Sequence, residues 1–202
     1  AIVAPAMKGG FLRNTSLVGA MTLLSRVTGL VRDVVYSTMF GAGTLMDAFL
    51  VAFKIPNFLR RITGEGAFSQ AFVPVVSEYR LKRTPEETAE LVAGVTGTLG
   101  TILLAITALG VLGAPFVILA FAPGFETEGP RHELAVEMLR WTFPYIFFIS
   151  LVALAAGVLN AHGRFGQAAF NPVILNLVMI VFAAFVAPGF EQPGLALAIG
   201  VF

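Results

Sequence analysis

The chain has 202 residues, of which 57% are hydrophobic and only 12% charged, and its mean hydropathy is +0.86. Soluble domains carry about 25% charged residues, so this composition excludes an ordinary soluble protein and is that of an integral membrane protein. The absence of cysteine excludes disulfides, thiolate nucleophiles and cysteine-bound metals. We expect no nucleic acid partner.

Apolar stretches separated by turn-rich or charged loops predict an all-α, polytopic membrane helical bundle. The predicted spans are 17–40, 44–77, 89–121, 134–159, 170–187 and an incomplete sixth at 194–202. The second is too long for a hydrocarbon core of ~30 Å, so we expect it to tilt, kink or project into water. Its candidate kink points are Pro56, Gly64, Gly66 and Pro74.

The two ends of the sequence carry separate expectations. Ala1–Ala6 lacks the charged region of a signal peptide and precedes a natural start at Met7, so we predict a cloning remnant followed by a membrane domain over 7–202. The final apolar run, Gly194–Phe202, is less than half of the roughly 20 residues that a spanning helix needs. The sequence therefore reads as part of a longer protein.

Local signals in the third span predict how its helix begins and packs. Pro85 followed by two glutamates suits the first turn of a helix. Gly94, Gly97 and Gly100 are small residues that would permit close helix approach.

The charges of the loops predict the orientation of the chain. One set of ends holds Lys8, Arg13, Arg80, Lys82, Arg83 and Arg164, whereas the opposite set holds Arg131 among glutamates. Because cationic loops remain on the cytoplasmic side, we predict a cytoplasmic N-terminus.

The first two spans are unusual because they carry many charges at membrane depth. The cations are Arg26, Arg32, Lys54, Arg60 and Arg61, and the anions are Asp33, Asp47 and Glu65. A central Arg or Asp costs about 2.5–3.5 kcal/mol to insert, so these side chains should face protein or water. The surplus of cations predicts an aqueous cavity that binds an anion, and arginine suits phosphate because its planar fork donates two parallel hydrogen bonds.

An alternative is that these charges neutralise one another and fix the helix register. On a straight helix Arg26 and Asp33 lie about 20° apart, and Arg32 lies about 120° from Arg26. Asp47, Lys54, Arg61 and Glu65 fall within about 40° of one another on the second helix. Pairs of Arg26 with Asp33, and of Lys54 or Arg61 with Asp47 or Glu65, would account for three of the five cations.

Motifs for catalysis are absent from the sequence. The glycine-containing loops lack the Gly-Lys-Ser/Thr of a phosphate-binding loop, and there is no His-Glu-x-x-His. His132 and His162 fall in predicted loops, where we expect them to be solvated. We therefore predict no catalytic residue, metal or cofactor, and a transporter rather than an enzyme, driven by an ion gradient, the membrane potential or a downstream sink.

Several long, ordered motifs resemble the MurJ (MviN) family of bacterial lipid II flippases, in the MOP transporter superfamily. The motifs are Ser25–Asp33, Gly41–Gly43, Asp47–Phe49, Lys54–Arg61, Glu65–Pro74, Trp141–Tyr145 and Asn171-Pro172. The resemblance covers residues 7–202 and implies the N-terminal lobe of a protein with two six-helix lobes and a final helix pair, cut within its sixth helix.

The resemblance also implies a function and its partners. The family moves lipid II, a polyprenyl pyrophosphate carrying a disaccharide-peptide, across the bacterial cytoplasmic membrane by alternating access. The family's essential cavity arginines map onto Arg26, Arg32 and Arg60, and its cavity aspartate maps onto Asp47. The implied partners are lipid II, membrane lipids and a C-terminal lobe, without which this chain should not transport.

Three other functions remain open from the residues alone. One is another MOP exporter, either a drug/cation antiporter or an oligosaccharide-lipid flippase, although a drug antiporter would favour acids in its cavity. A second is a membrane interaction module that recruits cell-wall enzymes. A third, a membrane phosphotransferase, would need metal-binding carboxylates near the membrane face, which the sequence does not show.

Overall fold

The computed structural model describes residues 6–60, 67–125, 129–162 and 165–201, and these residues form helices joined by short turns, with no strand. In chain order the helices are α1 (Ala6–Phe40), α2 (Thr44–Arg60), α3 (Ala67–Lys82), α4 (Pro85–Leu112), α5 (Ala114–Phe121), α6 (Pro130–Thr142), α7 (Tyr145–Ala161), α8 (Phe165–Val181) and α9 (Pro193–Val201). A π-helical turn (Phe182–Val186) and a 3₁₀ turn (Ala187–Gly189) follow α8. The predicted all-α class is confirmed.

Backbone chemistry fixes where α1 ends and α4 begins. Gly41 has a φ of +63° and its N–H donates to the Ser37 carbonyl, so it closes the C-terminus of α1 in a conformation that costs glycine little. Thr84 caps α4: its hydroxyl accepts from the Glu87 N–H at 3.2 Å, and the Glu87 carboxylate accepts from the Thr84 N–H at 3.0 Å. Pro85 occupies the first turn, as the sequence predicted.

Two of the described helices fall in the second predicted span, 44–77, and the second of them, α3, continues beyond it to Lys82. Pro56 lies inside α2 and Pro74 inside α3. The other two candidate kink points, Gly64 and Gly66, lie outside the described residues, as do the predicted site residues Arg61 and Glu65.

Three stretches of the described chain are long and apolar enough to cross a membrane: Pro85–Leu112, Pro130–Ala161 and Ala169–Gly189. The helix α1 is longer than any of them, but it carries Arg26, Arg32 and Asp33 close together. Large apolar side chains point away from the protein on several helices, with Phe116 and Phe185 each more than three-quarters exposed. Such a surface is stable only when lipid or another protein covers it.

The core lies where α2, α6 and α9 pack together, while α1 packs along α8, and α3 packs against α7. Phe49 and Ile55 from α2 meet Met138 and Leu139 from α6, and Leu197 comes from α9; all are almost fully buried. This arrangement leaves α1, α2, α7 and α8 around a common space.

Two local predictions were wrong. Among the described atoms, a Cβ on Gly94, Gly97 or Gly100 would meet nothing within 4 Å, so these glycines do not mediate close helix contacts within this part of the chain. His132 is not solvated, because it lies in the first turn of α6 and is only 6% exposed. It lies on the face of α6 that also buries Ala135, Val136 and Leu139, whereas the sequence prediction began this span only at Leu134. His162 is exposed at the end of α7, as expected.

Candidate functional site

A cavity of about 590 Å³ lies among α1, α2, α7 and α8. Its apolar wall includes Phe53, Ile149 and Leu175, and its polar wall is dominated by guanidinium and amide groups. These groups belong to Arg32, Arg60, Asn57, Asn160, Asn171 and Asn176. No carboxylate is among the described residues that line the cavity, so its side chains are suited to an anion.

Arg32 is held in one orientation from three sides. Its Nε and Nη2 donate to one carboxylate oxygen of Asp33 at 3.0 and 2.7 Å. Its Nη1 donates to Oδ1 of Asn176 at 3.0 Å, and the guanidinium carbon lies 6.0 Å from the centre of the Phe53 ring. The side chain of Arg32 is 20% exposed, whereas that of Asp33 is 63% exposed. The Asp33 carboxylate therefore occupies the Nε–Nη2 edge of the guanidinium, and much of that carboxylate remains exposed.

Asn176 joins α8 to α1 and positions Arg32 at the same time. It is 6% exposed, and its Nδ2 donates to the Ser25 carbonyl at 3.0 Å and to the Thr28 hydroxyl at 3.2 Å. A Cβ added to Gly29 would lie 3.5 Å from Nδ2, so the small residue leaves room for the amide. Every polar atom of this side chain is thus satisfied on α1.

The second cavity arginine is positioned within its own helix. Arg60 donates from Nε to Oδ1 of Asn57 at 3.0 Å, one turn earlier on α2. Both residues follow Pro56, which is buried inside the helix. The direction of α2 beyond this proline therefore decides where Arg60 enters the cavity.

Arg26 and Lys54, the other predicted cations in the described chain, do not line the cavity. Both are exposed, and neither forms a hydrogen bond or ion pair with any described residue. Arg26 follows Ser25, which lines the cavity, and so points about 100° away around α1. Asp33 lies against Arg32 rather than Arg26.

Asp47 lies in the first turn of α2, away from the cavity. Its Oδ2 is 3.8 Å from Nη2 of Arg131, at the start of α6, and both side chains are about half exposed. A pair of this length and exposure contributes little to stability. The described cavity lining therefore carries two arginines and no carboxylate, with Asp33 beside it as the counter-ion of Arg32.

A known family model, described as lipid II flippase MurJ, matches residues 36–202. This chain belongs to the MurJ family. The family predicted from the sequence motifs is thereby confirmed, and the other branches of the MOP superfamily are set aside.

Curated MurJ relatives are similar over most of this chain. The "Probable lipid II flippase MurJ" of Vibrio cholerae is 48% identical over 198 residues, which are 95% of this chain and 38% of that protein. The "Lipid II flippase MurJ" of Burkholderia cenocepacia is 48% identical over 181 residues, 90% of this chain and 35% of that protein. The chain thus spans less than two-fifths of the length of these relatives.

A solved MurJ structure shares the fold. It is described as lipid II flippase MurJ in an inward closed conformation, and it superposes with a TM-score of 0.76 at 33% identity. The match covers 92% of this chain and 39% of that chain. The bundle therefore has the fold of the matching part of a MurJ protein.

Sequence reasoning missed the asparagines of the site, and Asn176 above all. The sequence does contain a feature that marks Asn176, because it is the one polar side chain in the run from Val173 to Val181. Within a membrane helix such an amide usually bonds across to another helix. What the sequence does not contain is the identity of that other helix.

Proposed function

We propose that this chain is the N-terminal lobe of a lipid II flippase, and that the full-length protein moves lipid II from the cytoplasmic to the periplasmic leaflet by alternating access. The main support is that Arg32 and Arg60 line one cavity, whose described lining includes amides but no carboxylate. This arrangement fits the pyrophosphate of lipid II, because a guanidinium binds phosphate oxygens in pairs. The reaction is transport, with no bond made or broken.

The Arg32–Asp33 pair supports a specific mode of anion entry. Asp33 occupies the Nε and Nη2 donors, the edge that a phosphate would take. Because Asp33 is 63% exposed, a phosphate can displace it into water at low cost, and Arg32 stays in place through its bond to Asn176. The pyrophosphate then takes the place of the Asp33 carboxylate at the guanidinium of Arg32.

The exposed cations would contribute to binding only when a second lobe is present. Arg26 and Lys54 lie on the surface of this chain, where a C-terminal lobe would complete a larger cavity around the head group. The polyprenyl tail would remain in lipid. This chain alone would then bind weakly and would not transport.

The proposed location is the bacterial inner membrane with a cytoplasmic N-terminus. Arg80 near the end of α3 donates to the Ala161 carbonyl at the end of α7 at 2.6 Å, so these two ends lie on one side of the bundle. Lys82 and Arg83 follow on the same side. A cluster of cations at one end favours the cytoplasmic face.

The test uses the full-length protein in cells depleted of their own flippase. Arg26, Arg32 and Arg60 are each replaced by Ala and by Lys, and growth is scored beside membrane expression. We expect the alanine variants to insert but fail, with partial rescue by lysine, because lysine keeps the charge but loses the fork. Arg131→Ala is the matched control, since Arg131 is an exposed arginine outside the cavity, and it should support growth. Full growth of all three alanine variants would refute the cationic-cavity mechanism.

A further inference from the structure

A proline inside α2 removes a hydrogen bond at the point where the helix approaches the cavity. Pro56 has no N–H, so the carbonyl of Ala52, four residues earlier, lacks its normal helical donor. Ala52 is fully buried, so bulk solvent is not in contact with it to replace that donor. In a membrane protein a freed carbonyl of this kind needs another partner.

Thr142, at the end of α6, supplies that partner. Its hydroxyl is fully buried and lies 3.0 Å from the Ala52 carbonyl oxygen and 3.4 Å from that of Leu139. A hydroxyl has one proton to donate. The Leu139 carbonyl already accepts from the Phe143 N–H at 2.7 Å, so the proton of Thr142 belongs to Ala52.

The residues beside Thr142 hold its backbone in place. Phe143 is 3% exposed and its ring lies against Gly110 of α4, where a Cβ would collide with it. Trp141 points the other way and is half exposed. Thr142 is therefore aimed at α2 by a neighbour that is tightly packed, and its hydroxyl has little freedom to follow α2 if the helix moves.

The bond lies immediately before the part of α2 that lines the cavity. Phe53, Asn57 and Arg60 all follow Ala52 and all line the cavity. We propose that Thr142 is a positioning residue for anion binding: by holding the freed Ala52 carbonyl, it fixes the direction of α2 around Pro56 and hence the placement of Arg60. This role rests on the proposed function, because the residues that this part of α2 positions belong to the proposed anion site.

The experiment compares five variants of the full-length protein in lipid nanodiscs. Thr142→Val removes the hydroxyl at nearly constant shape, and Thr142→Ser keeps it. Thr107→Val is the matched control, because the Thr107 hydroxyl is also buried but has no hydrogen-bond partner in the described structure. Pro56→Ala, alone and combined with Thr142→Val, restores an N–H that can serve the Ala52 carbonyl.

The readout is the dissociation constant for lipid II and, separately, for inorganic pyrophosphate. We expect Thr142→Val to weaken both about tenfold, Thr142→Ser to remain within about twofold of native, and Thr107→Val to bind as native. In the Pro56→Ala background the effect of Thr142→Val should fall below about threefold, since the hydroxyl is then redundant. A purely structural threonine would not show this dependence on residue 56.

The outcomes separate this proposal from the proposed function. Native-like binding by an inserted Thr142→Val variant overturns the positioning role alone, as does an equal loss in both backgrounds. If Thr142→Val fails to insert, the dissociation constants of the double variant and of Pro56→Ala are compared instead. A difference of more than about threefold between them overturns the positioning role. If the native protein binds neither ligand, the proposed function falls, and the positioning role falls with it.

Discussion

Replacement of Asn176 by leucine tests whether this amide joins α8 to α1, as the structure indicates. Leucine has the same branched skeleton of side-chain heavy atoms, so the change removes three hydrogen bonds without opening a cavity. The bonds lost are those to the Ser25 carbonyl, the Thr28 hydroxyl and the Arg32 guanidinium. All three partners keep other contacts. The Thr28 hydroxyl still donates to the Leu24 carbonyl at 2.9 Å and lies 3.1 Å from the Ser25 carbonyl. Arg32 still donates to Asp33.

The expected loss follows from the number of bonds and their environment. Hydrogen bonds between membrane helices average about 0.6 kcal/mol each, so three give a loss of about 2 kcal/mol in the free energy of unfolding. The bond to Arg32 involves a charged donor and is expected to contribute more than this average. A loss of about 2 kcal/mol corresponds to a roughly 30-fold smaller equilibrium constant for folding.

The measurement is reversible unfolding of the full-length protein in bicelles, with Asn171→Leu as the control. Asn171 lies on the same helix and lines the same cavity, but its side chain has no hydrogen bond to a described residue. We expect Asn171→Leu to change stability by less than about 0.5 kcal/mol. Equal effects of the two substitutions, or a loss below about 0.5 kcal/mol for Asn176→Leu, would refute the reasoning.

Two further predictions concern the anion site and the packing of α4. Asp33→Asn removes the anion that occupies the fork of Arg32, so inorganic pyrophosphate should bind about threefold more tightly by calorimetry; unchanged or weaker binding would contradict competition by Asp33. Gly110→Ala places a methyl group into the ring of Phe143 and should destabilise the protein by about 1–3 kcal/mol. Gly97→Ala, which meets no described atom, should be neutral or stabilising in the same unfolding assay.

The sequence predicts where charged residues lie around a single helix, but it does not predict which charged side chains meet. A helical wheel places Arg26 and Asp33 near one face, yet Asp33 lies against its neighbour Arg32, because two flexible side chains next to each other in sequence can meet across the wheel. The wheel also groups Asp47 with Lys54, whereas Asp47 lies near Arg131 of another helix. Periodicity predicts neither outcome, because the first depends on the reach of two side chains adjacent in sequence and the second on the helix that lies beside α2.

The sequence by itself determined the membrane character, the helical class and the MurJ family, because hydropathy, turn residues and ordered motifs are properties of consecutive residues. It also placed Arg26 and Arg32 on the first helix and Lys54 and Arg60 on the second. Only the tertiary structure decided that Arg32 and Arg60 line the cavity while Arg26 and Lys54 do not. The partner that orients Arg32 is 144 residues away along the chain, on α8. Contacts over such separations arise from helix packing, and packing is set by the fit of whole helical surfaces rather than by any local pattern.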